Sequence, residues 1–128
     1  MKRAAVTRGK VALPKHRERD VQREILGLLH ARGIVAYGIN RERAGYRRAS
    51  HIGIKGLPDI SGWIPARCYL PTATFYRSDT PLPLFIEVKR PGGTLTREQT
   101  AFLVSARADG CVAFMATSPA DVVEALGL

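Results

Sequence analysis

The stretch LFIEVKRPGGTLTREQTAFLVSARADGCVAFMA, residues 84–116, decides how the chain folds. Its first six residues, LFIEVK, carry the apolar and β-branched side chains of a strand, and Arg90-Pro91-Gly92-Gly93 follow as turn residues. Thr96-Arg97-Glu98-Gln99 then fits an N-terminal capping box, in which the Thr side chain accepts from the Gln backbone N–H and the Gln side chain reaches back. That box opens a helix expected to run to about Ala108, burying Ala101, Phe102 and Val104, with Leu103 in part, and ending at Gly110. CVAFMA, residues 111–116, is a short apolar run suited to a buried strand.

Upstream, Asp59-Ile60-Ser61-Gly62-Trp63 reads as a strand leaving a Gly-Leu-Pro turn, and IVAYGIN, residues 34–40, as another. Before it, Val21, Ile25, Leu28 and Leu29 recur at helical spacing over residues 17–32, with Gly33 as the helix stop. On that helix Glu18 and Gln22 fall on or beside the apolar stripe, whereas Glu24 points about a quarter-turn away. Ser118-Pro119-Ala120-Asp121 starts a last helix with Pro in its first turn. The order is α-β-β-β-α-β-α, an α/β domain over residues 17–128 behind a basic arm, residues 1–16, with no internal repeat.

At 128 residues there is sequence for one core but not for two. A 45% hydrophobic and 24% charged composition excludes a disordered or fibrous protein. Twenty Lys and Arg against eleven Asp and Glu give a net charge of +9, which makes a polyanion the first partner to consider. The charge is uneven: residues 1–55 hold 14 basic and 4 acidic side chains, and residues 56–128 hold 6 and 7. No run approaches the roughly 18 apolar residues of a membrane span, and no signal-peptide core follows the basic start, so a soluble intracellular protein is expected. Cys68 and Cys111 are too few for a disulfide framework or a Cys-rich zinc site and read as ordinary thiols. His16, His30 and His51 lack metal-ligand spacing.

The arm fits either a phosphate-binding extension or a solvated tail. Between residues 41 and 55 the basic side chains Arg41, Arg43, Arg47, Arg48, His51 and Lys55 face a single acid, Glu42. Such a run is often only a solvated surface, but phosphate neutralisation is the simpler account of this crowding, and it carries no base preference.

The chemistry concentrates in Asp59 and in Glu87-Val88-Lys89. Residues two apart on a strand share a face, so Glu87 and Lys89 project together about 6–7 Å apart, while Val88 enters the opposite core. If the strands pair, Asp59 can meet Glu87. Two carboxylates and a strand carbonyl, here that of Val88, make a hard-oxygen site suited to Mg²⁺, and a nearby ammonium can orient water or offset charge in the transition state. Taken singly, Asp59 also suits a plain turn, Glu87 and Lys89 a solvent-facing strand, and Gln99 a helix surface.

GLPD at 56–59 followed by IEVKRPGGTLTREQ at 86–99 resembles the PD-(D/E)-X-K nuclease signature in the form carried by the VRR-NUC family. Pro58-Asp59 corresponds to the PD, Glu87-Val88-Lys89 to the (D/E)-X-K, Gln99 to the glutamine at the start of the next helix, and Glu18 to the acid on the first helix. The resemblance implies a restriction-endonuclease-like fold with a central mixed sheet flanked by helices. It also implies Mg²⁺- or Mn²⁺-dependent cutting of DNA, with Asp59, Glu87 and Val88 at the metal and Lys89 assisting the nucleophile or transition state. Glu18 would complete the acidic cluster, and Gln99 would hold the water, Lys89 or the scissile phosphate. Stand-alone members, often phage-encoded, are similar to Holliday-junction resolvases and act as homodimers, which implies the cytoplasm of a bacterial or phage-infected cell. The competing expectation is a DNA-binding module that keeps the fold without turnover. Residues 64–82 are longer than the hairpin expected there. With Trp63 they hold Tyr69, Phe75 and Tyr76, four of the nine aromatics, which suits a dimer contact, a wedge between opened bases or packing over the sheet.

Overall fold

The computed structural model describes residues 15–39, 55–66, 68 and 79–128. Its elements are α1 (Lys15–Ala31), β1 (Val35–Gly38), β2 (Ile60–Ile64), β3 (Leu82–Val88), α2 (Arg97–Ala108), β4 (Val112–Ala116) and α3 (Pro119–Leu126). This is the expected α-β-β-β-α-β-α order, and α1 begins two residues earlier than its apolar period, at Lys15. The strands form one mixed sheet in the order β1-β2-β3-β4. β1–β2 and β2–β3 are antiparallel, and β3–β4 is parallel, with α2 as the crossover between them.

The register sorts the strand residues into two unlike faces. Ala36, Ile60, Ile64, Leu84, Ile86, Val88 and Ala116 share one face and are buried with Val21, Ile25 and Leu29 of α1 and Val122 and Leu126 of α3. Each fully buried Ile or Leu contributes about 1.5–3 kcal/mol of transfer free energy, so this face is the main core. The other face carries Tyr37, Ser61, Phe85, Glu87 and Ala113 and meets α2 through a smaller cluster of Leu103, Ala106 and Ala113 with Phe85 and Phe102 against it. Phe85 and Phe102 meet edge-to-face, with ring centroids 5.1 Å apart.

β1 and β2 approach closely at Gly62, which pairs with Ala36: a Cβ there would lie 2.7 Å from the Ala36 Cα and run into the Val35 carbonyl oxygen. A glycine is therefore required in the middle of β2. His30, in the last turn of α1, places Nε2 2.8 Å from the Ala36 carbonyl oxygen, so Nε2 carries the proton and ties the helix to β1. α3 is capped as expected: Ser118 Oγ accepts from the Asp121 N–H, and Pro119 sits at the first helical position.

α2 starts and stops where the sequence predicts but presents a different stripe. Gln99, Leu103 and Ala106 are buried, whereas Ala101 and Val104 are exposed and Phe102 is half-buried. The spacing i, i+4, i+7 holds, and its first member is polar. Cys68 is buried with Sγ donating to the Arg32 carbonyl at 3.5 Å. Burial, and secondarily Asp109, push the Cys111 thiol up, which leaves less of the reactive thiolate.

Candidate active site

The site sits at the end of the sheet where β2 begins and β3 ends. Gly56, with φ +78, turns the chain into Leu57, Pro58 and Asp59. A Cβ on Gly56 would strike the backbone of Glu98 and Gln99, 2.8 Å from the Gln99 nitrogen, so this glycine lets the turn lie directly on the start of α2. Pro58 is buried, and Asp59 is the last residue before β2.

The register that pairs Ile60 with Ile86 brings Asp59 level with Glu87 on the neighbouring strand. Asp59 Oδ2 accepts a 2.9 Å hydrogen bond from the Val88 N–H, which fixes the carboxylate across the strand tip. The Val88 side chain is buried in the main core, as strand alternation requires.

Glu87 is only 2% exposed, so its carboxylate needs partners. Gln99 Nε2 donates to Glu87 Oε2 at 3.0 Å, and Lys89 Nζ lies 3.7 Å from the same oxygen. Glu87 and Lys89 converge as alternation predicts, although β3 ends at Val88. Lys89 is held by its own N–H, which donates to the Ala116 carbonyl at 3.0 Å. The following turn has Pro91 second, Gly92 third with φ +84, and a 2.9 Å hydrogen bond from the Gly93 N–H to the Arg90 carbonyl, the pattern of a type II turn. A Cβ on Gly93 would lie 3.3 Å from the Lys89 Cβ, so the turn folds back against the lysine stem.

Gln99 does two jobs. Its N–H donates to Thr96 Oγ1 at 3.1 Å and its Oε1 accepts from the Thr96 N–H at 2.9 Å, completing the predicted capping box. Because Oε1 is fixed by that N–H, Nε2 must be the atom aimed at Glu87. The sequence signal that identifies the cap does not show this second role. Thr96 and Gly56 stand in the cap and the GLPD stretch that the sequence shows, but local reading does not reveal that Gly56 lets the Asp59 turn lie on the α2 start or that the Thr96 N–H fixes the Gln99 amide.

A solved structure described as a VRR_NUC domain protein matches with a TM-score of 0.57, covering 88% of this chain and 86% of that one at 15% identity. The chain has the fold of that VRR_NUC domain protein. No family model and no curated protein matches the sequence. In this VRR-NUC fold, the half-buried Glu18 lies in the first turn of α1, one turn before Gln22. A Cβ on Gly38 would run into the Gln22 amide and lie 3.7 Å from the Asp59 carbonyl oxygen, so Gln22 approaches the strand end that carries Asp59. Among the described residues no three His, Cys, Asp or Glu side chains are gathered as a metal cluster. The carboxylates of Asp59 and Glu87, level with each other on neighbouring strands, are hard oxygen donors of the kind that fits Mg²⁺ or Mn²⁺.

Lys55 is exposed and lines a groove of about 480 Å³ with Phe85, Glu98 and Phe102, beside the start of α2. Arg41, Arg43, Arg47, Arg48 and His51 lie outside the described residues, as do Tyr69, Phe75, Tyr76 and most of the basic arm. No helix among the described residues is long and apolar enough to cross a membrane.

Proposed function

We propose that the protein is a metal-dependent endonuclease that hydrolyses DNA phosphodiesters, acting as a homodimer on branched DNA such as Holliday junctions. The observation that carries this reading is the joint placement of Asp59, Glu87, Lys89 and Gln99 at one strand tip, with Asp59 tied to Val88 and both Gln99 and Lys89 brought to Glu87. The shared VRR-NUC fold and the net charge of +9 support it.

Asp59, Glu87 and the Val88 carbonyl would hold Mg²⁺ or Mn²⁺, with Glu18 joining through water. The ion would supply charge neutralisation at the scissile phosphate and a more acidic bound water. Lys89 brings an ammonium to the same side, where it orients the attacking water and offsets the negative charge that grows on the phosphoryl oxygens. Gln99 keeps Glu87 oriented by donating to Oε2. Arg41, Arg43, Arg47, Arg48, His51 and Lys55 would grip phosphates, and a two-fold dimer would present two such sites to two strands of a junction.

Incubating the protein with a labelled four-way junction in Mg²⁺, Mn²⁺ or EDTA tests this. Wild type cuts with either metal, whereas Asp59→Ala and Lys89→Ala bind but cut at least about a hundredfold more slowly. Equal cutting by the variants removes the site, and binding without cutting by wild type leaves a DNA-binding module of the same fold.

A further inference from the structure

On the sheet face that carries Glu87, α2 packs against Phe85 of β3 and Ala113 of β4, and Ser61 of β2 is buried; towards β1, among the described residues, the large side chains are open to solvent. There Tyr37 is 55% exposed, Trp63 44% and Val35 38%, and Pro83 is exposed beside Trp63. The register pairs Val35 with Trp63 and Tyr37 with Ser61, so Tyr37 and Trp63 are diagonal neighbours on one face. Asp59, Ser61 and Trp63 alternate onto that same side of β2. At about 3.4 Å per residue, Tyr37 lies about 7 Å and Trp63 about 14 Å along the sheet from the level of Asp59.

From this geometry we infer that Tyr37 and Trp63 form a stacking platform for unpaired nucleobases next to the scissile phosphate, so that the preferred substrate carries single-stranded nucleotides beside the cut. The inference rests on the nuclease reading and goes beyond it by naming the strand state of the substrate. A base within a duplex has both faces stacked on its neighbours, whereas an unpaired base can offer one to an aromatic side chain. Two exposed rings on the same sheet face as a carboxylate and lysine site, in a chain of net charge +9, suit a single polyanionic strand. Among the described residues the exposed patch holds Val35, Tyr37, Trp63 and Pro83, far short of the roughly 20–30 residues a side of a stable protein interface, which disfavours a second copy as the occupant.

Trp63 is the sole tryptophan, so intrinsic tryptophan emission reports on this face alone. In EDTA, titration with an unlabelled oligo-dT strand is expected to quench Trp63 emission saturably, and a blunt duplex of equal length is not. By anisotropy of a labelled strand, Tyr37→Leu and Trp63→Leu should each weaken single-strand binding by about fivefold or more while leaving duplex binding unchanged, and Tyr37→Phe should restore it. Cutting of a flap and of a blunt duplex is measured separately with metal. Quenching without any cutting would retain the platform and defeat the nuclease reading. Cutting without quenching, equal quenching by duplex, unchanged affinity in Tyr37→Leu, or emission that shifts with protein concentration alone would each overturn the platform.

Discussion

The two faces of the sheet use the same four strands in opposite ways. One is closed under α1 and α3 and is apolar throughout, with Ile25, Leu29, Ile60, Leu84 and Ile86 fully buried. The other is closed only in part by α2, and its burial includes Glu87, Gln99 and Ser61. Glu87 and Gln99 can be buried there because their partners are specific: the carboxylate meets an amide and an ammonium, and the amide meets a helix N-terminus. Stability is concentrated on the first face and the candidate chemistry on the second, so substitutions on the two should separate in what they change.

The largest contrast is between Leu84→Ala and Lys89→Ala. Leu84→Ala should lower unfolding free energy by about 2–5 kcal/mol in urea titrations, since it empties the closed face. Lys89→Ala should cost less stability than Leu84→Ala, because Gln99 still donates to the Glu87 oxygen that the ammonium faces across 3.7 Å, yet it should reduce cutting at least about a hundredfold. If Lys89→Ala destabilises as much as Leu84→Ala, the division between the faces fails.

Gly56→Ala comes next, with an expected cost of about 1–3 kcal/mol from a strained positive φ and a clash with the α2 backbone. Cutting should fall along with stability, because the same turn positions Asp59. Gln99 sharpens the comparison further. Gln99→Ala removes both the cap and the donor to Glu87, and a cap alone is worth about 0.5–2 kcal/mol. Gln99→Glu keeps an acceptor for the Thr96 N–H but sets a carboxylate against Glu87, so thermal melts should place it below wild type at about pH 8 and closer to wild type at about pH 4, where protonation relieves the repulsion. A flat difference between these two pH values would mean that the Gln99–Glu87 hydrogen bond does not govern Glu87.

The smallest effect belongs to Asp121. Hydrogen bonds from the Thr117 N–H and hydroxyl to its Oδ2, at 2.7 and 2.8 Å, hold its carboxyl below the ordinary carboxylate value of 3.8. A lowered folded value gives stability that is present above the ordinary value and lost as the pH falls through the folded one. Asp121→Asn should therefore lower stability slightly at about pH 7, with the gap to wild type closing below about pH 4. A gap that persists unchanged into acid would show that the Thr117 hydrogen bonds do not favour the charged form.

Features decided within a few residues were legible in the sequence: the Thr96–Gln99 box, the Ser118-Pro119 start, the Gly110 stop and all four strands. The stripe of α2 was not, because hydropathy orients a helix by its apolar residues and this one is oriented by buried Gln99. The convergence of Glu87 and Lys89 follows from alternation, but the Asp59–Val88 bond depends on strand register, to which residues far apart in the chain contribute. Nothing local distinguishes Tyr37 from any other strand tyrosine.

Gln99 couples local order to a buried charge. The side chain that closes the first turn of α2 is also the one that donates to Glu87. Fraying of that turn therefore withdraws the donor from the carboxylate, so order at the start of α2 and the orientation of Glu87 are kept or lost together.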